Sequence, residues 1–527
     1  MVEKQENARP EFKQKVGGPY AYYVLFVLTL VYIFNFLDRQ ILSILITDIK
    51  ADLGVGDAEM GFLYGTAFAV FYALFGIPMG RLADMWFRGR LMSLGLVLWS
   101  VMTALSGFAQ NFTQLALARF GVGIGETTAT PSAFSMLGDY FPKEKRGTVL
   151  AIYSSGIYLG GGLALFGGAW VVEWWTNMHP VAAEAPLGLA GWQAAFLAAG
   201  IPGLALALLM LTVKEPVRGL AEGIVTKAET RPFGKFWHEL TSVIPPFTLW
   251  HLYKISSSRR VLGLNLLGAL GVALGALLLT LAIGNAPQWI ALGIAIYAVI
   301  SWAQALAIRD KPTFALIFQT SAFVWGAVGF GFIAFMGYST GIWIAPYAET
   351  VLGMAKTEVG FWVGSVATLS GWAGVIIGGI VSDLWRKKTA LGRIWLIMTA
   401  VVVPIPPFIA MFLTDNVTLF FVLFFPVNLL STMWIGAAAS TLQDLVLPRM
   451  RGAATAAYFL GTTIIGLGLG PYYVGVVSDV AGGLRYGLLA ILAAAPIIVL
   501  CLFMASKYLK EAEETRVERA RAAGEVV

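Results

Sequence analysis

Fourteen apolar stretches, each reaching the roughly 20 residues that a helix needs to cross a bilayer, place this chain in lipid rather than in water. They fall near 20–47, 57–83, 91–110, 112–137, 146–172, 190–213, 261–284, 288–308, 319–346, 357–382, 391–413, 417–442, 451–478 and 484–506. Composition agrees. Hydrophobic residues make up 58% and charged residues 13%, with a mean hydropathy of +0.75, whereas an ordinary globular domain is about 25% charged. The expected fold class is an all-α polytopic membrane protein.

Lys and Arg collect on alternate loops, which the positive-inside rule assigns to the cytoplasm. Arg9, Lys13 and Lys15 precede the first span, Arg81, Arg88 and Arg90 follow the second, Lys143, Lys145 and Arg146 follow the fourth, and Arg386, Lys387 and Lys388 follow the tenth. The intervening loops are acidic, with Lys50, Lys356 and Arg485 as exceptions. Both termini are therefore expected inside, as an even span count requires. The net charge of +6 is explained by this topology and does not call for a nucleic-acid partner. The first apolar segment outruns a signal peptide and shows no small-residue cleavage site, so it reads as a retained span. Cys501 is the single cysteine, which excludes an intrachain disulfide and a multi-cysteine metal site. No metal and no cofactor is expected.

The chain repeats itself. Glu59, Gly61, Phe62, Gly65, Gly80, Asp84 and Trp86 recur at one offset as Glu358, Gly360, Phe361, Gly364, Gly379, Asp383 and Trp385. Asp139, Arg146, Gly147, Ala151, Tyr153, Gly156 and Gly161 return as Asp444, Arg451, Gly452, Ala456, Tyr458, Gly461 and Gly466. Two homologous six-helix halves follow, an arrangement used by secondary transporters with a binding site between the halves. The expected boundaries are 1–213 for the first half, 214–310 for a cytoplasmic linker and an inserted transmembrane hairpin, and 311–527 for the second half with its tail. Phe236, Trp237, Leu240, Val243 and Ile244 have the spacing of an amphipathic surface helix in the linker. The hairpin at 261–308 reads as peripheral packing or a lipid-facing element.

Four ionisable residues interrupt the apolar spans: Asp38 and Arg39 in the first, Arg119 and Glu126 in the fourth. Charges at bilayer depth are costly, so they face a cavity and find partners. At 1.5 Å per residue, Arg119 lies about 9 Å and Glu126 about 20 Å below the outer edge, with Asp38 at roughly 14 Å, so Arg119 can pair with either carboxylate. Arg39 points about 100° away and serves local packing or an outer gate as readily as the cavity. A guanidinium stays charged while a carboxylate can titrate, so one Arg between two acids makes a proton switch. His179, His238 and His251 fall in loops or near span ends, which leaves Asp38 and Glu126 to carry any proton coupling. A static charge cluster holding two helices together is the competing reading. In the repeat these positions become Gly337, Tyr338, Phe424 and Ser431, so the second half builds the scaffold without the charges.

The stretch Gly80-Arg-Leu-Ala-Asp84 with Arg88 and Arg90 resembles the loop signature of the major facilitator superfamily, though Met85, Trp86 and Phe87 alter its usual ending. Asn35-Phe-Leu-Asp38-Arg39 and Arg119-Phe-Gly-Val-Gly-Ile-Gly-Glu126 resemble the Spinster subfamily of bacterial type. The resemblance implies two six-helix halves plus the hairpin, and transport of lysolipid or sphingolipid-like amphiphiles, in several members proton-coupled. It implies a substrate site of Arg119, Asn35, Arg39, Tyr153, Tyr338, Trp343, Phe424, Ser431 and Trp434, one wall charged and the other aromatic. Asp84, Arg88, Arg90, Asp139, Arg146 and Asp383 are the expected cytoplasmic gate, with topology anchoring as the alternative role. The expected function is a proton-coupled secondary transporter of an anionic amphiphile in the cell inner membrane, acting by alternating access, monomeric and not an enzyme. The alternatives are a small organic anion symporter and a non-transporting membrane receptor.

Overall fold

The computed structural model describes residues 16–218, 231–256 and 258–525, and among these all regular elements are helical. The first half is built from α1 (Pro19–Leu53), α2 (Asp57–Tyr64) continued by α3 (Thr66–Met85), α4 (Arg88–Ser106), α5 (Phe112–Glu126), α6 (Ala129–Tyr140), α7 (Lys143–Met178) and α8 (Gly191–Leu211). The linker forms α9 (Pro232–Val243) and α10 (Phe247–Ser256), and the inserted hairpin is α11 (Arg259–Ile283) and α12 (Ala286–Arg309). The second half contains α13 (Lys311–Phe318), α14 (Ser321–Thr350), α15 (Lys356–Lys388), α16 (Gly392–Val402), α17 (Ile405–Leu413), α18 (Val417–Thr432), α19 (Trp434–Asp444) and α20 (Arg451–Gly461). A π-helical segment, Thr462–Leu469, leads into α21 (Gly470–Ala481), α22 (Leu484–Ala490), α23 (Ala494–Glu514) and α24 (Arg516–Ala522). Arg9, Lys13 and Lys15 lie outside the described residues.

Among the described residues, thirteen helices are long and apolar enough to span a membrane. The fourteenth expected span, 112–137, is helical but broken between α5 and α6. Thr127 Oγ1 donates to the Ile124 carbonyl at 2.6 Å and Thr128 Oγ1 to the Gly125 carbonyl at 2.9 Å, so hydroxyls compete for the helix's own acceptors at the break. The second half repeats the device. Thr432 Oγ1 reaches the Leu429 carbonyl at 3.0 Å just before α18 gives way to α19. The starts match too: Asn111 caps α5 through the Gln114 N–H at 3.0 Å, and Asn416 caps α18 through the Leu419 N–H at 2.9 Å.

The hairpin is asymmetric. On α11 only Asn265 is buried, whereas α12 buries Leu292, Ala295, Ala298 and Trp302. In the linker, the expected amphipathic helix is α9, which stops one residue short of Ile244: Leu240 and Val243 are buried, Phe236 is half-buried and Trp237 is exposed. The Phe233 ring meets Trp86 edge-on at 5.1 Å, which docks α9 against the end of α3.

Candidate functional site

Small residues bring α5 close enough to its neighbours to aim its charges inward. A Cβ on Gly125 would lie 2.8 Å from the Trp99 nitrogen, so nothing larger permits this contact with α4. Asp38, Arg119 and Glu126 are then essentially fully buried, and Arg39 nearly so.

The pairing differs from the expected one. Arg39, not Arg119, takes Glu126, with Nη2 at 2.5 Å and Nε at 3.2 Å from Oε2. Its guanidinium also lies over Phe68 at 4.4 Å, Phe36 at 4.9 Å and Tyr72 at 5.3 Å. The 100° turn from Asp38 therefore swings Arg39 toward α3 and the end of α5, and a long planar cation suits that aromatic frame. Arg39 belongs to the charged centre.

Arg119 touches no carboxylate. Its Nη1 donates to the Asp38 main-chain carbonyl at 3.2 Å, while Nε and Nη2 have no partner among the described residues. The Asp38 carboxylate makes no ion pair among the described residues and faces the Trp99 indole N–H and the Thr103 hydroxyl, while Glu126 Oε1 is left without a close partner. Asn35 is buried beside Glu126 with its Nδ2 unpartnered. The arrangement is one closed ion pair next to a guanidinium with two free nitrogens and a carboxylate without a salt bridge among the described residues.

Of the remaining expected ligands, Tyr153 stacks on Tyr32 at 4.2 Å with its hydroxyl unpartnered, and Tyr338, half-buried, lies within electrostatic reach of Arg39 from the other half. Trp343 is placed differently from the expectation. Its Nε1 donates to the Pro471 carbonyl at 2.9 Å, so it packs α14 against α21. Phe424 stacks on Phe420 inside the second half, and Trp434 lies 6.2 Å from Phe330. The expected aromatic wall is thus partly self-packed, because aromatic rings gain more from one another than from an open cavity. Ser431 is half-buried next to the α18–α19 break.

At the end of the bundle bearing Arg88, that residue is buried and bonds Asp139 and Ser135 each at 2.6 Å, Glu215 at 2.8 Å and the Pro216 carbonyl at 3.2 Å. Arg146 donates to the Gly138 carbonyl at 2.6 Å. The carboxylates of Asp84 and Asp383 are exposed and make no ion pair among the described residues, contrary to the expected gate. Arg218 instead binds the carbonyls of Ala83, Asp84 and Trp86, which occupies that corner with a linker residue. Arg90 is exposed over the Phe87 ring at 4.8 Å. Glu215, Arg218 and Arg393 escaped the sequence reading. Arg393 pairs with Asp444 at 2.5 Å and is the repeat of Arg88 with Asp139, with the same spacing in both pairs.

At the opposite end, bearing Asp57, the halves are joined. Gln40 and Ser43 donate to the Gly341 and Ile342 carbonyls at 2.8 Å and 2.6 Å. Lys356 lies 2.8 Å from Asp48 and 3.0 Å from Glu349, Ser478 donates to Asp57 at 2.6 Å, and Asp479 accepts the Asp57 and Ala58 N–H groups. Every ion pair between described residues at the Arg88 end stays within one half or its linker.

The sequence profile of the Major Facilitator Superfamily matches residues 28–471. The chain belongs to that superfamily. It is 26% identical over 490 residues to an MFS-type efflux pump of Mycolicibacterium smegmatis, covering 91% of each chain. It is 24% identical to protein spinster homolog 1 of Rattus norvegicus over 474 residues, 86% of this chain and 72% of the relative. Its fold matches the crystal structure of a bacterial homologue of the human lysosomal transporter Spinster in an inward-facing, occupied conformation, with a TM-score of 0.68, 24% identity, and coverage of 94% and 99%. This facilitator is therefore a polytopic membrane transporter and not an enzyme.

Proposed function

We propose that this facilitator moves a lysolipid or similar anionic amphiphile across the cell inner membrane by proton-coupled alternating access, working as a monomer with both termini in the cytoplasm. One observation carries the reading: Arg119 is fully buried, spends one N–H on the Asp38 main-chain carbonyl, and keeps Nε and Nη2 without a partner among the described residues. A buried guanidinium held this way suits the planar oxygens of a phosphate or carboxylate head group. The neighbouring half-buried Tyr338 and the apolar second half suit an acyl tail.

Proton exchange falls to Asp38 and Glu126. An anionic head arriving at Arg119 repels both carboxylates, and only the acids can answer by binding a proton, since the guanidiniums stay charged. With the Asp57 end joined, binding begins from the Arg88 end, which the basic-loop rule places in the cytoplasm.

Uptake of a labelled lysophospholipid into proteoliposomes under an imposed pH gradient tests this. Gradient-dependent uptake that is lost in both Arg119→Ala and Glu126→Gln is the expected result. Folded protein that moves no lysophospholipid but moves a small organic anion under the same gradient would overturn the lipid assignment.

A further inference from the structure

We propose that the inserted hairpin clamps the Asp57 end of the transporter shut, with Gln288 as its positioning residue. Gln288 is 0% exposed in the first turn of α12 and is held there by the hairpin's own geometry. Asn285 adopts a left-handed conformation at φ 55° and caps the helix toward the Gln288 N–H, while Trp289 Nε1 donates to the Gly284 carbonyl at 3.0 Å.

The Gln288 amide meets both halves at one point. Thr66 Oγ1, where α2 gives way to α3, lies 2.6 Å from Gln288 Oε1 and 2.5 Å from the Gly468 carbonyl of the π-helical segment, and Gln288 Nε2 donates to that carbonyl at 3.2 Å. A hydroxyl has one proton, so the ring closes when Thr66 Oγ1 donates to Gln288 Oε1 while Gln288 Nε2 donates to the Gly468 carbonyl. The result is a buried three-member polar ring joining the hairpin, the first half and the second half, where no lipid can replace its hydrogen bonds. Beside it, Trp289 meets Tyr472 of α21 edge-on at 5.5 Å.

The rest of the hairpin packs on α3 and the linker, with Ile464 of the π-helical segment and Phe318 of α13 as its further neighbours in the second half. Ala295 and Ala298 cluster with Val70 and Leu74 of α3. Asn265 binds Ser301, Gln304 and Tyr297, and Tyr297 reaches Thr248 of the linker, whose α9 docks on Trp86. When the Asp57 end opens, α2 and α3 part from the π segment and α21, and the hairpin travels with α3. The Gln288–Gly468 and Trp289–Tyr472 contacts then break along with the apolar packing of Ile464, and the buried hydrogen bonds are the part that lipid cannot replace.

The proposal rests on the alternating-access reading, but its readout needs no substrate, so failure of the lipid assay and failure of the clamp are separable. The experiment is maleimide labelling, in proteoliposomes, of a cysteine placed by Ser43→Cys at the closed end, with native Cys501, 2% exposed, as the internal reference. Gln288→Leu, which keeps the shape and removes the amide, is expected to raise labelling at position 43 by about threefold to tenfold, as expected for losing one or two interhelical hydrogen bonds. Thr66→Val is expected to act in the same direction because it breaks the same ring. Unchanged labelling at position 43 in both variants overturns the clamp. A parallel rise at Cys501 also overturns it, because Gln288 would then support the fold as a whole.

Discussion

Arg39 on α1 and Glu126 at the end of α5 form a buried ion pair of 2.5 Å, and that pair, rather than one made by Arg119, joins the two charged helices of the first half. Because Arg39 satisfies one acid and spreads its face over Phe68, Arg119 is left facing Asp38 with donors to spare. The two arginines have divided what one was expected to do: Arg39 locks a carboxylate, and Arg119 keeps two nitrogens without a partner among the described residues.

The division predicts unequal stability effects. Glu126→Gln leaves the Arg39 charge buried without a counter-charge, and breaking one side of a buried pair costs about 3–5 kcal/mol. Replacing both partners, Arg39→Leu with Glu126→Leu, removes the desolvation cost along with the attraction and is expected to recover most of that loss. Thermal unfolding of the purified protein checks this, and a single variant that melts with the parent would show that the pair is only weakly coupled. Transport is expected to stay lost in the double variant.

The spans were legible because a bilayer demands about 20 apolar residues, a pattern no loop imitates. The internal repeat also exposed the Arg88 and Asp139 end of the bundle. Arg393 was missed because the two runs of the repeat sit at different offsets, and only the second aligns it with Arg88. The Arg39–Glu126 pair was not legible, because helical angle fixes where a Cβ points and not where a long guanidinium ends. Lys356 looked like an exception to the charge rule; in the fold it ties α15 to Asp48 and Glu349. Contacts between distant segments, such as Trp343 with the Pro471 carbonyl, leave no mark in local sequence pattern.

Closure at the Asp57 end depends on backbone meeting backbone at Gly61. A Cβ there would lie 2.5 Å from the Pro471 carbonyl oxygen and 2.7 Å from the Tyr472 Cα, and neither atom can swing aside. Gly61→Val is expected to disfavour the closed end by about 1–3 kcal/mol, the usual range for overpacking, which moves a two-state balance by about 5- to 150-fold. Spin labels at the exposed positions Ala51 and Val351 report it: the closed-end distance distribution should shift to longer values in the variant. An unchanged distribution would mean that the halves do not separate along this contact.

The docking of the C-terminal helix supplies a pH dependence with a definite sign. Asp310 caps α13, accepting from Thr313 N at 3.2 Å and Thr313 Oγ1 at 2.7 Å, and pairs with Arg449 at 2.8 Å; Arg449 also binds Glu525 beyond α24. Burial raises the Asp310 carboxyl, but the hydrogen bonds from Arg449 and Thr313 outweigh it and hold the group below its ordinary value. An acid depressed in the folded state adds stability above its unfolded value, about 3.9, and loses that contribution as the pH falls through the folded value. Hydrogen exchange in Arg516–Ala522 should therefore be insensitive to this group from about pH 5 to 8, after correction for intrinsic rates, and lose protection only below about pH 4. Asp310→Asn, which keeps a capping oxygen and removes the charge, is expected to loosen the helix already at neutral pH by about 0.2–1 kcal/mol, the worth of an exposed pair, and to flatten the acid response. A variant that keeps the parent's protection at every pH would show that α24 is held by the apolar contacts around the buried Ala520 and not by this ion pair.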